Sequence, residues 1–426
     1  MRLLPATPDG GARSSSPWLI VAMASIASIM TAPGQTAAIS VFTDPLIAEL
    51  GISRTDLSLS YLIGTLAGAA AMPMVGRALD RYGVRAVMTV LGLIFGAVLV
   101  GLSFAADVFG LTAGFVGIRM VGQGALGLAA TTAVAVHVTH RRGLALGITA
   151  AAGSAGISMA PVLLERLVAG HGVDAVWRYE GIAVWLIVVP VALIGLRSAG
   201  RVRVVSAVTV ESAAGDQPDV PVERDVWTTR KALRTPMFWA IAAGLASSGM
   251  LSTAVNFHQV SLLGEQGLSA TAAAANFIPQ TVAGLVSTLA IGALADSMAP
   301  KLGVAISMAL LCAALVSIPL VAPGFTAIVY GLILGCASGA VRAIEAAAYA
   351  HYFGTAHIGG IRGVATMIGV GSTAFGPLAL SLGRDAVGGY VPVVLGLAVI
   401  PAVVGVVVAF VPAPKLHPRA TRPSQE

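Results

Sequence analysis

The segment Gly76-Arg-Ala-Leu-Asp-Arg-Tyr-Gly-Val-Arg85 joins two long apolar blocks, at residues 57–77 and 85–106. Blocks of this length are typical of transmembrane helices, because about 20 apolar residues cross the hydrocarbon core of a bilayer. Gly76 and Gly83 permit a tight turn between the two helices. The turn also carries four charged residues, Asp80, Arg77, Arg81 and Arg85. They predict either anchoring at the membrane surface or ion pairs that one conformation forms and another breaks.

The rest of the chain repeats this pattern of apolar blocks and polar breaks. Of the 426 residues, 57% are hydrophobic and 10% are charged, and the mean hydropathy is +0.88. A soluble domain carries about 25% charged residues and is excluded. Outer-membrane barrels are excluded because their strands are about half as long and alternate with period two. Twelve spans are predicted, at 18–45, 57–77, 85–106, 109–137, 142–168, 177–197, 236–262, 271–295, 302–321, 325–350, 361–383 and 390–411.

The distribution of basic residues orients the chain. With both termini in the cytoplasm, nineteen of the 25 Lys and Arg residues fall in cytoplasmic segments, and four fall outside, at Arg54, Arg166, Arg178 and Arg384. Cytoplasmic loops of membrane proteins carry such an excess of basic residues. We therefore expect a multi-pass protein of the cytoplasmic (inner) membrane with both termini cytoplasmic. The same positions argue against nucleic-acid binding as the reason for the net charge of +6.

One long polar stretch, at residues 198–235, divides the chain into two sets of six spans. The sets share short motifs, since Gly76–Asp80 recurs at Gly292–Asp296 and Arg142-Gly143 recurs at Arg362-Gly363. Offsets of 216 and 220 residues predict an internal duplication, which is typical of carriers whose halves rock around a central site. We expect an N-terminal six-helix half at 1–197, a cytoplasmic linker at 198–235, a C-terminal six-helix half at 236–411 and a cytoplasmic tail at 412–426.

Two motifs resemble those of the major facilitator superfamily. Gly76–Arg85 is similar to the loop between the second and third helices of that superfamily, and Arg119-Met-Val-Gly-Gln-Gly124 is similar to its fourth-helix motif. The resemblance implies an all-α membrane protein with twelve transmembrane helices in two six-helix pseudo-symmetric halves. It also implies a secondary carrier that alternates access to a central cavity formed by spans one, four, seven and ten.

Further motifs resemble the monocarboxylate porter and oxalate/formate antiporter branch of that superfamily. They are Ala350–Gly354, Gly359–Gly363, Gly376-Pro377, Asp385–Tyr390 and, in the first half, Arg141–Gly147. This likeness implies transport of small organic anions. Superfamily members that carry such anions often use a basic residue in helix eight or eleven, and the sequence departs from that pattern because residues 271–295 and 364–383 contain no Lys, Arg or His.

Two features of the first half predict polar groups at membrane depth. Pro33-Gly34-Gln35-Thr36 interrupts span one and predicts a broken helix, which is either a substrate site containing Gln35 and Thr36 or a packing kink. Arg119 lies about ten residues into span four, or about 15 Å deep at 1.5 Å per residue. A cation at that depth must face a cavity or a partner. It either binds substrate or hydrogen-bonds backbone carbonyls of span one.

Span seven carries a polar stripe. Its members are spaced by four, four and three residues, which places them on one helical face, and they are Ser248, Ser252, Asn256 and Gln259. The stripe either binds a polar ligand or joins neighbouring helices by hydrogen bonds. His258 lies off the stripe and is expected at the membrane interface without a role in transport. Asp44 in span one is likewise expected only to mark the interface.

Span ten holds Arg342 and Glu345, which are three residues apart and so share a helical face. We expect a permanent salt bridge that closes the cytoplasmic end, with a proton-dependent or substrate-dependent switch as the alternative. Glycines repeat at four-residue spacing in this span and in span two, which predicts close helix packing. They are Gly331, Gly335, Gly339, Gly64 and Gly68.

These features predict a secondary active transporter of a small organic solute, working by symport or antiport, with an organic anion such as a monocarboxylate as the leading substrate class. The alternative is proton-coupled efflux of apolar or cationic compounds, and a third hypothesis is a non-transporting membrane sensor. The expected substrate-binding residues are Gln35, Thr36, Arg119, Ser252, Asn256 and Arg342. The expected proton-coupling or gating residues are Glu345, Asp80, Arg81 and Arg85.

The sequence has no Gly-x-x-x-x-Gly-Lys-[Ser/Thr] loop, which argues against an ATP-driven pump. It has no Ser/His/Asp constellation and no metal-ligand spacing, and Cys312 and Cys336 both lie inside apolar blocks. We therefore expect no enzyme activity, no cofactor and no metal. The expected partners are the small-molecule substrate, membrane lipid and protons as a coupling ion, without nucleic acid, and the chain is expected to be a monomer.

Overall fold

The computed structural model describes residues 17–138, 141–195, 227–294, 298–354 and 357–414, and these residues form helices joined by short connections. Span one consists of the helices Pro17–Ile29 and Thr36–Leu50 with the turn Ala32–Gly34 between them. The other spans begin with the continuous segment Arg54–Leu102 and continue with Val108–His137, Arg142–His171, Val173–Pro190, Pro236–Phe257, Ala270–Leu294, Pro300–Leu320, Phe325–Phe353, Ile358–Val387 and Tyr390–Phe410.

The segment Arg54–Leu102 contains two membrane spans. It is 49 residues long, and at Gly83 the backbone turns out of the helix with φ 80° and ψ 160°. L-residues rarely adopt such a φ, whereas glycine does so readily. The eleven long apolar helices of the described residues therefore provide twelve spans, with span two before Gly83 and span three after it. The predicted twelve-helix fold is confirmed.

Each set of six spans has its own buried core. Spans one to six enclose an apolar cluster centred on residues such as Phe42, Tyr61 and Phe115. Spans seven to twelve enclose a second cluster that includes Phe238 and Tyr349. The predicted linker residues 198–226 and tail residues 415–426 lie outside the described part of the chain. The predicted layout of two six-helix halves agrees with the separate cores.

The bundle has two ends because successive spans run in opposite directions. We call the end with the connections after spans one, three, five, seven, nine and eleven the Arg54 end. The opposite end, which includes Gly76–Arg85, is the Asp80 end. Span two begins at the Arg54 end with a capping box, in which the Ser53 side chain accepts from the Asp56 amide and Asp56 accepts from the Ser53 amide.

Glycines allow two pairs of spans to approach at backbone distance. A Cβ on Gly335 of span ten would lie 2.1 Å from the Gln280 carbonyl oxygen of span eight, and one on Gly339 would lie 2.3 Å from the Gly284 oxygen. A Cβ on Gly64 of span two would lie 2.8 Å from the Phe115 oxygen of span four. The predicted close packing of these glycines is confirmed.

Gly335→Ala is therefore expected to destabilise the C-terminal half by about 1–3 kcal/mol, because the added methyl group forces spans eight and ten apart. The measurement is the Tm of the purified protein in detergent. Gly147→Ala is the matched control, since a Cβ at Gly147 meets no atom within 4 Å. Equal Tm values for the two variants would show that the close contact between spans eight and ten tolerates an added methyl group.

Candidate functional site

A cavity of about 280 Å³ lies among spans seven, ten and eleven. Hydroxyl groups dominate its polar lining, and they belong to Ser248, Ser252, Thr253, Ser338, Thr366 and Thr373. The lining also contains Arg342 and Glu345. We predicted a cavity shared by spans one, four, seven and ten. The shared cavity stays a prediction: spans seven and ten line the observed cavity, span eleven supplies its third wall, and polar groups of spans one and four bond to each other.

Arg342 and Glu345 do not form the expected salt bridge. In the described part of the chain neither residue has an ion pair within 4.0 Å or a hydrogen bond. Arg342 instead extends towards span eight, where a Cβ added to Gly284 would lie 2.8 Å from its Nη2 atom. The bare backbone at Gly284 makes room for the guanidinium there. The cavity therefore holds a cation and a carboxylate that do not neutralise each other.

The polar stripe of span seven divides into two functional parts. Ser248 and Ser252 line the cavity, and the hydroxyl of Ser252 and the side-chain oxygen of Asn256 are buried without a hydrogen-bond partner among the described residues. Gln259 is fully buried, donates to the Ala273 carbonyl at 2.9 Å and accepts from Gln280 at 2.7 Å. Gln259 therefore joins neighbouring helices by hydrogen bonds. Ser252 and Asn256 instead each keep a polar atom without a partner among the described residues, and Ser248 lies beside Ser252 in the cavity lining.

Span one is broken where the sequence predicts it. The first helix ends at Ile29 and the second begins at Thr36. Between them the carbonyl of Gly34 accepts a hydrogen bond from Arg119 Nη1 at 3.0 Å. The Gln35 amide donates to Thr31 at 3.3 Å, and the Thr36 hydroxyl lies 2.7 Å from the Tyr61 hydroxyl. The substrate-binding roles of Gln35 and Thr36 stay predictions, since both groups bond within the N-terminal half.

Arg119 is buried, with 1% of its surface exposed. Besides Gly34 it donates from Nε to Thr65 at 3.0 Å, and its guanidinium lies 4.4 Å from the centre of the Tyr61 ring. It begins a π-helical turn, Arg119–Ala125, of the kind often found at functional sites. Its Nη2 atom is buried without a partner among the described residues. The arginine thus ties spans one, two and four together, and its role as a substrate counter-charge stays a prediction.

The charged turn at the Asp80 end is open in this conformation. Asp80, Arg81 and Arg85 are exposed, and no ion pair joins them to any described residue. Their gating role stays a prediction. The second copy of the motif ends at Asp296, which lies outside the described residues.

Polar contacts close the Arg54 end. Ser261 of span seven accepts from Arg54 at 3.0 Å and donates to both carboxylate oxygens of Asp44 at 2.8 Å. Arg54 and Asp44 also form an ion pair at 2.5 Å. Asp44 therefore does more than mark the interface, because it connects the two halves. One feature of the sequence could have indicated this network. Arg54 is one of only four basic residues predicted on the side of the membrane that carries few of them.

More hydrogen bonds cross between the halves on the same side. Thr55 donates to Asp385 at 2.7 Å, and Ser58 lies 2.5 Å from Ser381. Ser158 bonds to Thr281, and Thr271 donates to Glu165 at 2.5 Å. Within the described residues, every hydrogen bond between the halves lies from the middle of the bundle to the Arg54 end. The conformation is closed there.

His258 is a buried member of this closed end, and its placement at the depth of the membrane interface stays a prediction. It is 0% exposed. Its Nε2 atom lies 3.1 Å from both the Pro377 carbonyl oxygen and the Ser381 hydroxyl, and Nδ1 lies 3.1 Å from the Tyr390 hydroxyl. Span seven breaks at this residue, and the break turns the ring inward against spans eleven and twelve.

The family model of the Major Facilitator Superfamily matches residues 24–377. The chain belongs to this superfamily. The family predicted from Gly76–Arg85 and Arg119–Gly124 is therefore confirmed, and the chain is a multi-pass membrane protein of a family of transporters.

Two curated relatives of this major facilitator match about half of its length. It is 31% identical over 195 residues to a triacylglyceride transporter of Mycolicibacterium hassiacum, covering 43% of this chain and 34% of the relative. It is 25% identical over 207 residues to the oxalate:formate antiporter of Oxalobacter formigenes, covering 47% of this chain and 45% of the relative. The chain thus spans less than half of either relative.

Solved structures share the fold of this major facilitator over nearly its whole length. A bacterial homologue of the human lysosomal transporter Spinster, in an inward-facing and unoccupied conformation, superposes with a TM-score of 0.71 at 16% identity, covering 94% of this chain and 97% of that one. The nucleoside transporter NupG, as a mutant, gives 0.74 at 12% identity, covering 92% and 99%. At 16% and 12% identity, these two structures show that the fold is shared and nothing about the substrate.

Proposed function

We propose that this major facilitator moves a small organic anion across the cytoplasmic membrane by alternating access, with Arg342 as the counter-charge. The supporting observation is the unpaired guanidinium in the cavity of spans seven, ten and eleven. An arginine in a membrane interior is costly unless it meets a partner or water. A carboxylate suits it best, because the guanidinium fork matches both carboxylate oxygens. The match to an oxalate:formate antiporter agrees with this substrate class.

Because the Arg54 end is closed, we infer that this conformation is the inward-facing state of the transport cycle. The excess of basic residues favours a cytoplasmic location for the Asp80 end and both termini. The cavity then faces the cytoplasm, and transport requires the contacts of the Arg54 end to open while the charged turn at Asp80 closes. Asp80, Arg81 and Arg85 are free to form that closing set. Glu345 is the carboxylate that lines the cavity, and it is the proposed proton-coupling residue.

Efflux of an apolar or cationic compound is the second candidate, and the unpaired Glu345 carboxylate is the observation that favours it. A match to a triacylglyceride transporter points to apolar cargo as well. The lining of the cavity contains the Arg342 guanidinium and several hydroxyl groups, which suit an anion better than an apolar cargo. We therefore keep the small anion as the leading proposal.

Uptake by purified protein in proteoliposomes tests the proposal, with labelled formate, acetate, propionate and oxalate as substrates. Arg342→Gln is expected to lower uptake about tenfold, because the loss of one charge-assisted bond of about 1.5–3 kcal/mol weakens binding by at least that factor. Arg362→Gln is the matched control, an exposed arginine in span eleven outside the cavity. Equal uptake by the parent and Arg342→Gln, both with the parent Tm, would reject the proposal.

A further inference from the structure

The cavity presents two opposite charges to the same ligand. Arg342 and Glu345 are three residues apart in span ten, and both line the space among spans seven, ten and eleven. Neighbours at this spacing have Cβ atoms about 5–6 Å apart, close enough for a salt bridge. The described residues nevertheless give neither of them an ion pair or a hydrogen bond. A solute between them can satisfy both groups at once.

The two charged groups of the cavity lining have no ion pair between them. Arg342 occupies the space that the missing side chain of Gly284 leaves in span eight. Glu345 lines the same cavity and lies more than 4.0 Å from the Arg342 guanidinium, because no ion pair within that distance joins them. The hydroxyls of Ser252 and Thr373 lie on the two other walls. Positive charge, hydroxyl groups and negative charge therefore surround one small volume.

We propose that the transported solute is a small zwitterion whose carboxylate binds Arg342 and whose ammonium group binds Glu345. This inference rests on the proposed function, since Arg342 receives the carboxylate in both. The zwitterion adds a second charged contact, between its ammonium group and Glu345, which a monocarboxylate without an amino group cannot make. A zwitterion also leaves the net charge of the cavity unchanged, so that both charged groups of the cavity have a partner when the site is occupied.

The cavity has room for a small solute. Its volume of about 280 Å³ lies near the lower end of common ligand pockets, which measure about 300–1,000 Å³. That space suits an amino acid with a short side chain. The hydroxyl groups of the lining, such as those of Ser248 and Ser252, are available as further hydrogen-bond partners for the carboxylate or the ammonium group.

Three acids of equal carbon number isolate the contribution of each group. Propionate has only the carboxylate, lactate adds a hydroxyl at the second carbon, and alanine adds an ammonium there; propylamine has the amine alone. Binding of all four to purified protein is measured by calorimetry in the parent, Glu345→Gln and Arg342→Gln. We expect alanine to bind the parent at least tenfold more tightly than propionate, with lactate between them.

The variants separate the inference from the function on which it rests. Glu345→Gln is expected to remove the advantage of alanine while propionate binds as in the parent, and Arg342→Gln is expected to weaken both acids. Propionate binding as tightly as alanine in the parent would overturn the zwitterion and leave the anion proposal standing. Binding of propylamine alone, or of none of the acids, would overturn both.

A second variant protects the test against misfolding. Gly284→Ala keeps both charges but places a methyl group 2.8 Å from Arg342 Nη2, so the guanidinium must move. It is expected to weaken propionate and alanine equally, several-fold, because the guanidinium receives the carboxylate of both acids. Its Tm is measured beside that of the parent, since the added Cβ also lies 3.3 Å from the Gly335 carbonyl oxygen. A loss confined to alanine would contradict the assignment of the two groups.

Discussion

Arg119→Lys is expected to reduce uptake more than a hundredfold although it keeps the positive charge. The guanidinium donates to Gly34 and Thr65, each at 3.0 Å, and lies over the ring of Tyr61. One ammonium group cannot reproduce this fork. Hydrogen bonds to charged groups contribute about 1.5–3 kcal/mol each, so the loss of two corresponds to a hundredfold or more. The measurement is uptake in proteoliposomes together with the fraction of monodisperse protein.

The same variant separates two roles of Arg119. If the residue serves mainly as a counter-charge for substrate, lysine retains much of the activity and only Arg119→Gln loses it. If it positions the broken span one, both substitutions fail alike. Arg178→Lys is the matched control, since that arginine is exposed and lies 4.0 Å from Asp174 of its own helix. Near-parent uptake by Arg119→Lys would contradict the positioning role.

Local chemistry explains which features could be predicted from the sequence. The break in span one follows from Pro33-Gly34, because proline removes a backbone donor and glycine weakens the helix wherever they occur. The turn between spans two and three follows in the same way from Gly83. The close packing of spans eight and ten follows from the four-residue spacing of Gly335 and Gly339. Each prediction depends on residues that are neighbours along the chain.

Contacts between distant residues decide the features that were missed. His258 bonds to residues 119 to 132 positions away, and Ser261 bonds to Asp44 at a separation of 217. No periodicity within one span reveals such partners. The expected salt bridge of Arg342 and Glu345 failed for a related reason. Their spacing brings the Cβ atoms together, but Gly284 in another span determines where the guanidinium lies.

Ser261→Ala is expected to shift the protein towards the state that is open at the Arg54 end. Its hydroxyl accepts from Arg54 and donates to Asp44, so one substitution removes both charge-assisted bonds between the halves at this point. The Asp44 side chain is 45% exposed, which reduces the value of these bonds to about 2 kcal/mol in total. The equilibrium between states then changes about thirtyfold, because 1.4 kcal/mol corresponds to a factor of ten.

Distances between the halves measure this shift. Spin labels at Ala106 and Ala322, both exposed at the Arg54 end, report it by double electron–electron resonance after Cys312 and Cys336 are replaced by alanine. A parent that is about 99% closed becomes about three-quarters closed under a thirtyfold change, and a second, longer distance appears. Ser317→Ala is the matched control at the same end, because that hydroxyl bonds only to Ala314 of its own helix. Identical distributions for Ser261→Ala and Ser317→Ala would mean that the other contacts between the halves, such as Thr55–Asp385 and Ser58–Ser381, close this end without the Ser261 bonds.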